Sequence, residues 1–444
     1  MNRRHWYEAE ADEWRNTQRR QVKELPDLLA RLQQQSEMYG ERLTAADPAR
    51  IDSLEALAEL PFTTKDDLRS GQKESSGPIL GRQQAVPTDS IEQVISSSGT
   101  TGTPVYFGLT RNDRRAWTDA LGAFYFTAGL GPGSIAALST GMPIVAGGVP
   151  YADGIRETGA ALVWFGGQTT ARMVSTLDRL RVNTLVATAS FSTYFAGRVE
   201  EELGRPATTL GVRAIVAGGE PGMGNPETRA RVLERWGASR LSEVMGLGDV
   251  LSGIWAECDQ GLGMHFVPVK DVLVELIDPA TGAHVPWEEG ASGEAVYTTL
   301  RREATPVLRF RSRDHLVVQG MDCPCGRRTP RVRCMGRTDD MLIYKAMNVF
   351  PTAIRDVALD VAAGDIDPIM RVRKERADQV RFDDPIPLEV QVLPMSRASI
   401  EEISERVEAA VRERLRVRVA VECLPAGSIE MGRDKNAIVY IRES

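Results

Sequence analysis

Cysteine is scarce: five residues in 444, at Cys258, Cys323, Cys325, Cys334 and Cys423. An odd, thinly spread set of this kind excludes the disulfide framework of a small secreted domain. Long apolar runs are missing as well. None approaches the roughly 18–20 residues of a membrane-spanning helix, and the opening MNRRHWYEAEADEWRNTQRRQ lacks the apolar stretch of a signal peptide. These absences argue for a cytoplasmic protein with no membrane partner. Basic charge is not in excess either: 54 Lys and Arg stand against 61 Asp and Glu, a net charge of −7. That excludes a non-specific nucleic-acid binder. An anionic nucleotide would have to be held locally, by backbone N–H groups, Mg²⁺ or a few basic side chains. The GxxxxGK[ST] spacing is also absent, which argues against a conventional P-loop NTPase.

What is present is ordinary for a globular chain, 42% hydrophobic and 26% charged, with length for two or three domains and a large core. Residues 5–45 carry apolar positions at helical spacing (Leu25, Leu28, Leu29, Leu32) and predict one or two amphipathic helices. LPFTTKDDL (60–68) offers a Thr cap ahead of acidic residues, a helix start. From about 90 to 220, short apolar runs (SIAALST, AALVWFG, NTLVATA, RAIVAGG) alternate with Gly-rich turns and helical patterns such as TTARMVSTLDRLR, the signature of an α/β fold with a parallel or mixed sheet. Residues 266–320 predict a β-rich subdomain of short strands. Past Gly336 the pattern changes to a compact α+β unit with a long charged helix over 398–415. The expected organisation is an N-terminal domain over 1–336 and a small, mobile C-terminal domain over 337–444.

The sharpest local feature is SSSGTTGTPVYFGLT (96–110), directly after the strand-like EQVI. Small hydroxyl residues and glycines let backbone N–H groups crowd around a phosphate. The competing reading is a flexible polar turn. In order along the chain follow AGGEPG (217–222), MGLGDV (245–250), RFRSRD (309–314) and GRTDDMLIYKAMNVFP (336–351). With these five segments the sequence resembles the phenylacetate–CoA ligase-like branch of the adenylate-forming (acyl-CoA synthetase) superfamily, over nearly its whole length.

The resemblance implies an ATP- and Mg²⁺-dependent enzyme that converts a small aromatic carboxylic acid to acyl-AMP and then transfers the acyl group to coenzyme A. The alternatives are a stand-alone adenylation enzyme loading a carrier protein or amine, and a non-catalytic nucleotide-binding homologue. It implies that Ser98, Gly99, Thr100, Thr101, Gly102 and Thr103 close over the ATP phosphates and that Gly218, Gly219, Glu220 and Pro221, which without the family read equally well as a tight turn after a buried strand, line the adenine and substrate pocket. Asp249 would ligate Mg²⁺, Asp314 would accept both ribose hydroxyls, and Arg337 would approach ribose or phosphate. Asp339 or Asp340 would be the hinge. MGLGDV departs from the family pattern: Met245 replaces an aromatic, Gly248 a hydroxyl and Asp249 a glutamate. Without the family, Asp249 reads as a turn residue and Asp314 as a strand-end carboxylate paired with Arg311 or Arg313. The family's late lysine falls on SIEMGRDKNAIVYI (428–441). Strict spacing gives Arg433 and a small register shift gives Lys435, the preferred assignment because Arg does not simply replace an ammonium.

Cys258 and His265, in AECDQGLGMH, together with Cys323 and Cys325 of CPCG make a Cys₃His set suited to a closed, structural Zn²⁺, with ordinary turn cysteines as the competing reading. The same pattern recurs in the resembling branch. Cys334 and Cys423 read as buried small hydrophobes. The acid pocket is expected at TASFSTYF (188–195) and the Gly147–Gly148 stretch, with Tyr151, Phe191, Tyr194, Met245 and Gly246; core packing is the competing reading for its aromatic residues. Monomer and homodimer both stay open.

Overall fold

The computed structural model describes residues 6, 10, 12–73, 77–97, 104–219, 223–345, 347–376, 379–429 and, as backbone, 439–441. Where one or two helices were expected near the N-terminus, residues 14–42 alone form three, Trp14–Val22, Leu25–Gln35 and Glu37–Arg42. Pro26 at the start of the second helix donates no N–H, and the Ser36 hydroxyl caps the third through the Tyr39 N–H, so the chain turns at both points. Leu25, Leu28, Leu29 and Leu32 form the buried face of the second helix, as their spacing predicts. The helix Lys65–Lys73 begins where LPFTTKDDL placed it, Thr64 and Asp67 exchanging backbone-to-side-chain hydrogen bonds.

Strands β1 (Gln93–Ser96) and β2 (Tyr106–Leu109) form an antiparallel hairpin. The runs predicted to alternate with helices become β3 (Ile135–Leu138), β4 (Ala161–Trp164), β5 (Thr184–Ala187) and β6 (Ala214–Gly218). They are followed by β7 (Arg240–Leu247), β8 (Leu251–Glu257), β9 (Met264–Phe266), β10 (Val272–Ile277), β11 (Ser292–Thr299), β12 (Phe310–Gly320) and β13 (Arg331–Arg337). β3 to β13 form one eleven-stranded sheet in the order β10-β11-β12-β13-β9-β8-β7-β6-β5-β3-β4. It is parallel from β4 through β7 and antiparallel from β8 onward, so the β-rich stretch is hydrogen-bonded to the parallel half.

Alternation along the parallel strands feeds two cores. Ala136, Leu138, Val186, Val216 and Val244 face one cluster, while Ala137, Leu185, Ile215, Ala217 and Leu241 face the other. A sheet buried on both faces carries near-continuous apolar strands, which is why these runs do not alternate with polar residues. A third core is built only from residues from Leu342 onward. There the helices Pro351–Ala362 and Ile400–Leu415 accompany β14 (Leu342–Tyr344), β15 (Met347–Val349), β16 (Ile366–Lys374), β17 (Arg381–Phe382), β18 (Ile386–Val392), β19 (Val419–Leu424) and β20 (Val439–Ile441). These strands make two small sheets, β15-β14-β17 and β19-β18-β16-β20. Ser399 caps the second helix in a capping box with Glu402, so the charged helix starts at Ile400.

Candidate active site

The backbone brackets the Ser/Thr/Gly loop. Ser98–Thr103 lie outside the described residues, but the loop's base is closed by Ser97, whose N–H donates to the Val105 carbonyl at 2.9 Å and whose hydroxyl accepts from the Val105 N–H at 3.2 Å. Ser96 bridges to Val145: its N–H donates to the Ile144 carbonyl at 2.8 Å and its carbonyl accepts from the Ala146 N–H at 3.2 Å. The β7–β8 turn comes against the same place. A Cβ on Gly248 would lie 3.0 Å from Ala146 Cβ and 3.4 Å from Ser97 Cα. Crowding by these two neighbours gives a physical reason for glycine where the family pattern has a hydroxyl.

Asp249 follows, 3% exposed. The Lys65 ammonium sits 3.2 Å from each of its carboxylate oxygens. Arg302, buried over the Phe107 and Trp117 rings, donates to the Asp249 carbonyl at 2.9 Å and to the Val250 carbonyl at 3.3 Å, pinning the turn. Burial pulls the Arg302 guanidinium down to about 10 against the opposing pull of Asp113 and Asp249. Lys65 is the residue that sequence reasoning missed. Its signal was electrostatic: it is the first residue of its helix, where the helix dipole disfavours a cation.

On the antiparallel half, Asp314 of β12 is buried and stands opposite Arg337 of β13 in the strand register. The basic neighbours expected to pair with Asp314 go elsewhere. Arg311 makes a two-pronged bond to Glu294 at 2.9 and 2.8 Å, and Arg313 lies 3.7 Å from the same carboxylate. Arg309 and Arg313 take left-handed backbone conformations, φ 46° and 67°, which cost roughly 1–3 kcal/mol each in a non-glycine residue. Arg337 is gripped by Asp339 at 2.9 and 2.7 Å and donates to the Ser312 carbonyl at 3.3 Å. Burial opposes its charge, yet the Asp339 bonds and the nearby Asp314 and Asp340 carboxylates hold its pKa above the ordinary value. Burial, and then Asp339, push the Asp340 carboxyl up.

Gly218 ends β6 where a Cβ would meet the Val244 carbonyl at 2.2 Å, and Gly219 takes φ +84°. Glu220 and Pro221 lie outside the described residues, as do Arg433 and Lys435. The expected pocket residues separate into two groups. Tyr151 donates to the Ser252 carbonyl at 2.9 Å, and a Cβ on Gly246 would strike that carbonyl at 1.8 Å, so these two converge on one point of the β7–β8 hairpin. Met245 packs on the same core as Tyr151. Phe191 and Tyr194 belong to the core on the other face; Phe191 stacks on Phe195 with ring centroids 5.0 Å apart.

Cys258, His265, Cys323 and Cys325 come together, with their ligand atoms all within 4.8 Å of one another. Cys258 Sγ lies 3.8 Å from Cys323 Sγ, too far for a disulfide, and His265 Nε2 lies 3.6 Å from Cys325 Sγ. With metal–sulfur bonds of about 2.3 Å and metal–nitrogen bonds of about 2.0–2.1 Å, tetrahedral edges come to about 3.8 Å (S–S) and about 3.6 Å (S–N). The observed spacing therefore fits a tetrahedral metal. Cys334 and Cys423 are half-buried rather than buried. Cys334 packs on the first core, and Cys423 lies on the third with its Sγ 3.5 Å from the Ser404 hydroxyl.

No family model matches the chain. Curated relatives do. It is 29% identical to a phenylacetate–coenzyme A ligase of Thermus thermophilus over 425 residues, 92% of each chain. It is 28% identical to one of Pseudomonas putida over 410 residues, 91% of this chain and 89% of that one. These likenesses support the phenylacetate–CoA ligase-like branch of the adenylate-forming superfamily. Among solved structures, a 2-hydroxyisobutyryl-CoA ligase in its postadenylation state with 2-HIB-AMP superposes with TM-score 0.87 at 25% identity, covering 98% of this chain and 91% of that one. The same ligase in its thioesterification state, with coverage unchanged, gives only 0.69 at 26% identity. The present arrangement thus lies nearer the postadenylation state. Its contacts across the junction include the Arg333–Asp356 ion pair, Arg231 donating to the Ile366 carbonyl at 2.8 Å, and the His315 ring 4.8 Å from that of Phe350.

Proposed function

We propose that this chain is an AMP-forming acid–CoA ligase acting on a small aromatic carboxylic acid. The observation that carries the proposal is the convergence of the phosphate-loop base, the Gly248–Asp249 turn and Lys65, in a chain that also pairs Asp314 with Arg337 across β12 and β13. In the first half-reaction a carboxylate oxygen attacks the α-phosphorus of ATP and pyrophosphate leaves. In the second, the sulfur of coenzyme A attacks the acyl carbon, AMP leaves and the thiol proton is released.

The residues divide this work. Ser98–Thr103 would hold the leaving phosphates through backbone N–H groups and hydroxyls, and Gly218–Pro221 would line the adenine. Asp314 would fix the ribose, with Arg337 beside it. Holding the reactants in line and neutralising charge supply most of the rate in such displacements. Asp249 suits Mg²⁺: it offers a buried, hard carboxylate oxygen, and Mg²⁺ is commonly bound by one or two carboxylates plus substrate phosphates. The ion would offset phosphate charge, while Lys65 neutralises the carboxylate and places a second cation beside it. Lys435, or Arg433, would bridge the carboxylate and the α-phosphate. Tyr151, Met245 and Gly246, with Phe191 and Tyr194 from the other core, would shape the acid pocket. A domain boundary at 336–340, with Asp339 or Asp340 as the hinge, would let the C-terminal unit turn between half-reactions.

The Cys₃His cluster would hold a structural Zn²⁺, since four protein ligands leave no open position. The sparse, reduced cysteines suit the cytoplasm, and no described helix is long and apolar enough to cross a membrane.

The test is acid-dependent ATP–pyrophosphate exchange across a panel of aryl acids, followed by coenzyme A or a carrier protein as acceptor. Exchange with an aryl acid and a CoA thioester is expected. A thioester on the carrier protein alone would reassign the acceptor, and exchange with no acid would reduce the chain to a nucleotide-binding homologue.

A further inference from the structure

The metal loop carries an arginine that the adenylation chemistry does not use. Arg327 follows CPCG by one residue and is 6% exposed. Its guanidinium is held on three sides. Nε donates to the carboxylate of Glu10, which is 1% exposed; Nη2 donates to the Thr127 hydroxyl at 3.0 Å; and Nη1 reaches Cys325 Sγ at 3.6 Å. Glu10 is held a second time through its backbone, since its carbonyl accepts from the Arg328 N–H at 2.9 Å. The histidine side of the cluster has no such support: His265 is fully buried, and among the described residues its Nδ1 has no hydrogen-bond partner. Ligating histidines ordinarily donate that second nitrogen to an outer group that orients them.

Three thiolates around a divalent ion leave the cluster one negative charge in excess, in a buried place where an unpaired charge is costly. The Arg327 guanidinium is a basic group that the structure brings to one of these sulfurs.

We propose that Arg327 is the positioning residue of this metal centre. Its fork, set by Glu10 and Thr127, hydrogen-bonds the Cys325 thiolate, sets a cationic donor against that sulfur while its own charge stays paired with Glu10, and ties Glu10 to the metal loop. The inference rests on the metal reading above. Outer groups of this kind typically change metal affinity about 10- to 100-fold.

The experiment uses the full-length protein. Metal content is measured by elemental analysis, zinc release by transfer to a colorimetric chelator, and the thiolate-to-metal charge-transfer bands after replacement of zinc by Co²⁺. Wild type is expected to hold about one zinc per chain and Cys323→Ser to lose it. Arg327→Gln should release zinc about 10- to 100-fold faster and shift the charge-transfer bands, and Arg327→Lys should recover part of both. Thr127→Val and Glu10→Gln leave the guanidinium in place but loosen it, and should fall between. Arg327→Gln matching wild type in release and in spectrum would overturn the proposal while leaving the metal reading intact. Metal-free wild type that also takes up no added Zn²⁺ or Co²⁺ would end both. If Arg327→Gln does not fold, the two loosening variants decide: release at the wild-type rate in both overturns the proposal.

Discussion

At the scale of single residues, two side chains of the proposed nucleotide site can be tested apart. Asp314→Ala removes the proposed acceptor of two hydrogen bonds from ribose. Such bonds to a charged group contribute about 1.5–3 kcal/mol each, so kcat/KM for ATP should fall about 100-fold or more while the melting temperature stays close to wild type. Lys65→Ala removes the ammonium 3.2 Å from Asp249, and exchange should slow about 100-fold. Lys65→Arg should recover it poorly, because a planar fork does not replace a point charge. Pyrophosphate exchange checks both. The sequence made Asp314 and Asp249 legible because each sits inside a motif of fixed spacing. Lys65 was not legible by that route: it lies against a turn 184 residues away, and locally only its unfavourable place at a helix start marked it.

At the scale of elements, buried charge sets the strand ends. Arg309 is fully buried; it pairs with Glu275 at 2.9 Å, donates to the Ala58 and Leu60 carbonyls at 2.6 Å each, and lies 4.2 Å over the Phe62 ring. Removing one partner of such a pair leaves the other charge stranded, so Arg309→Ala should destabilise by about 3–5 kcal/mol in denaturant melts. The RFRSRD pattern pointed to Asp314, yet gave no sign that its first arginine is a core residue; that depends on Glu275 and on a segment 249–251 residues upstream. On β7, burial and then the Glu257 carboxylate raise Glu243 from 4.5 to about 7. A raised acid favours the folded state fully below its unfolded pKa and loses that contribution as pH climbs through the folded value. Stability should therefore decline by on the order of 3 kcal/mol between about pH 4.5 and 7 from this group, and Glu243→Gln should flatten that slope in melts at pH 5, 6 and 8. The parallel strands themselves were read with little error, since a doubly buried strand needs an apolar run wherever it pairs. The joining of the β-rich stretch to the same sheet was not legible, because periodicity carries no pairing partner.

At the scale of the whole molecule, the proposed hinge makes the contacts across the junction before the C-terminal unit testable. The Arg333–Asp356 pair and the Arg231–Ile366 contact exist in the arrangement that resembles the postadenylation state. A half-buried ion pair is worth about 1 kcal/mol, so Asp356→Ala should change the ratio of exchange rate to thioester rate about 5-fold against exchange. Rapid-quench assays of the two half-reactions check this. The change of pattern and GRTDD put a boundary near Gly336, and a separate core starts at Leu342, but the partners between the two parts are long-range and lay outside the reach of local sequence. The cysteine–histidine set, by contrast, was legible although 65 residues separate Cys258 from Cys323, because few residue types hold a metal and their spacing is short on each side.

The early helices have one further consequence, for synthesis. Glu10 waits for Arg327, 317 residues downstream, Gln21 for carbonyls 248 and 251 residues away, and the Ala58–Leu60 turn for Arg309. At about 5–20 residues per second, a nascent chain spends roughly 15–60 s with the first helices made and their docking surface not yet translated. During that interval Leu25, Leu28, Leu29 and Leu32, buried in the folded chain, have no downstream surface to dock on, so a ribosome-bound fragment is expected to expose a greasy stripe that the finished chain hides.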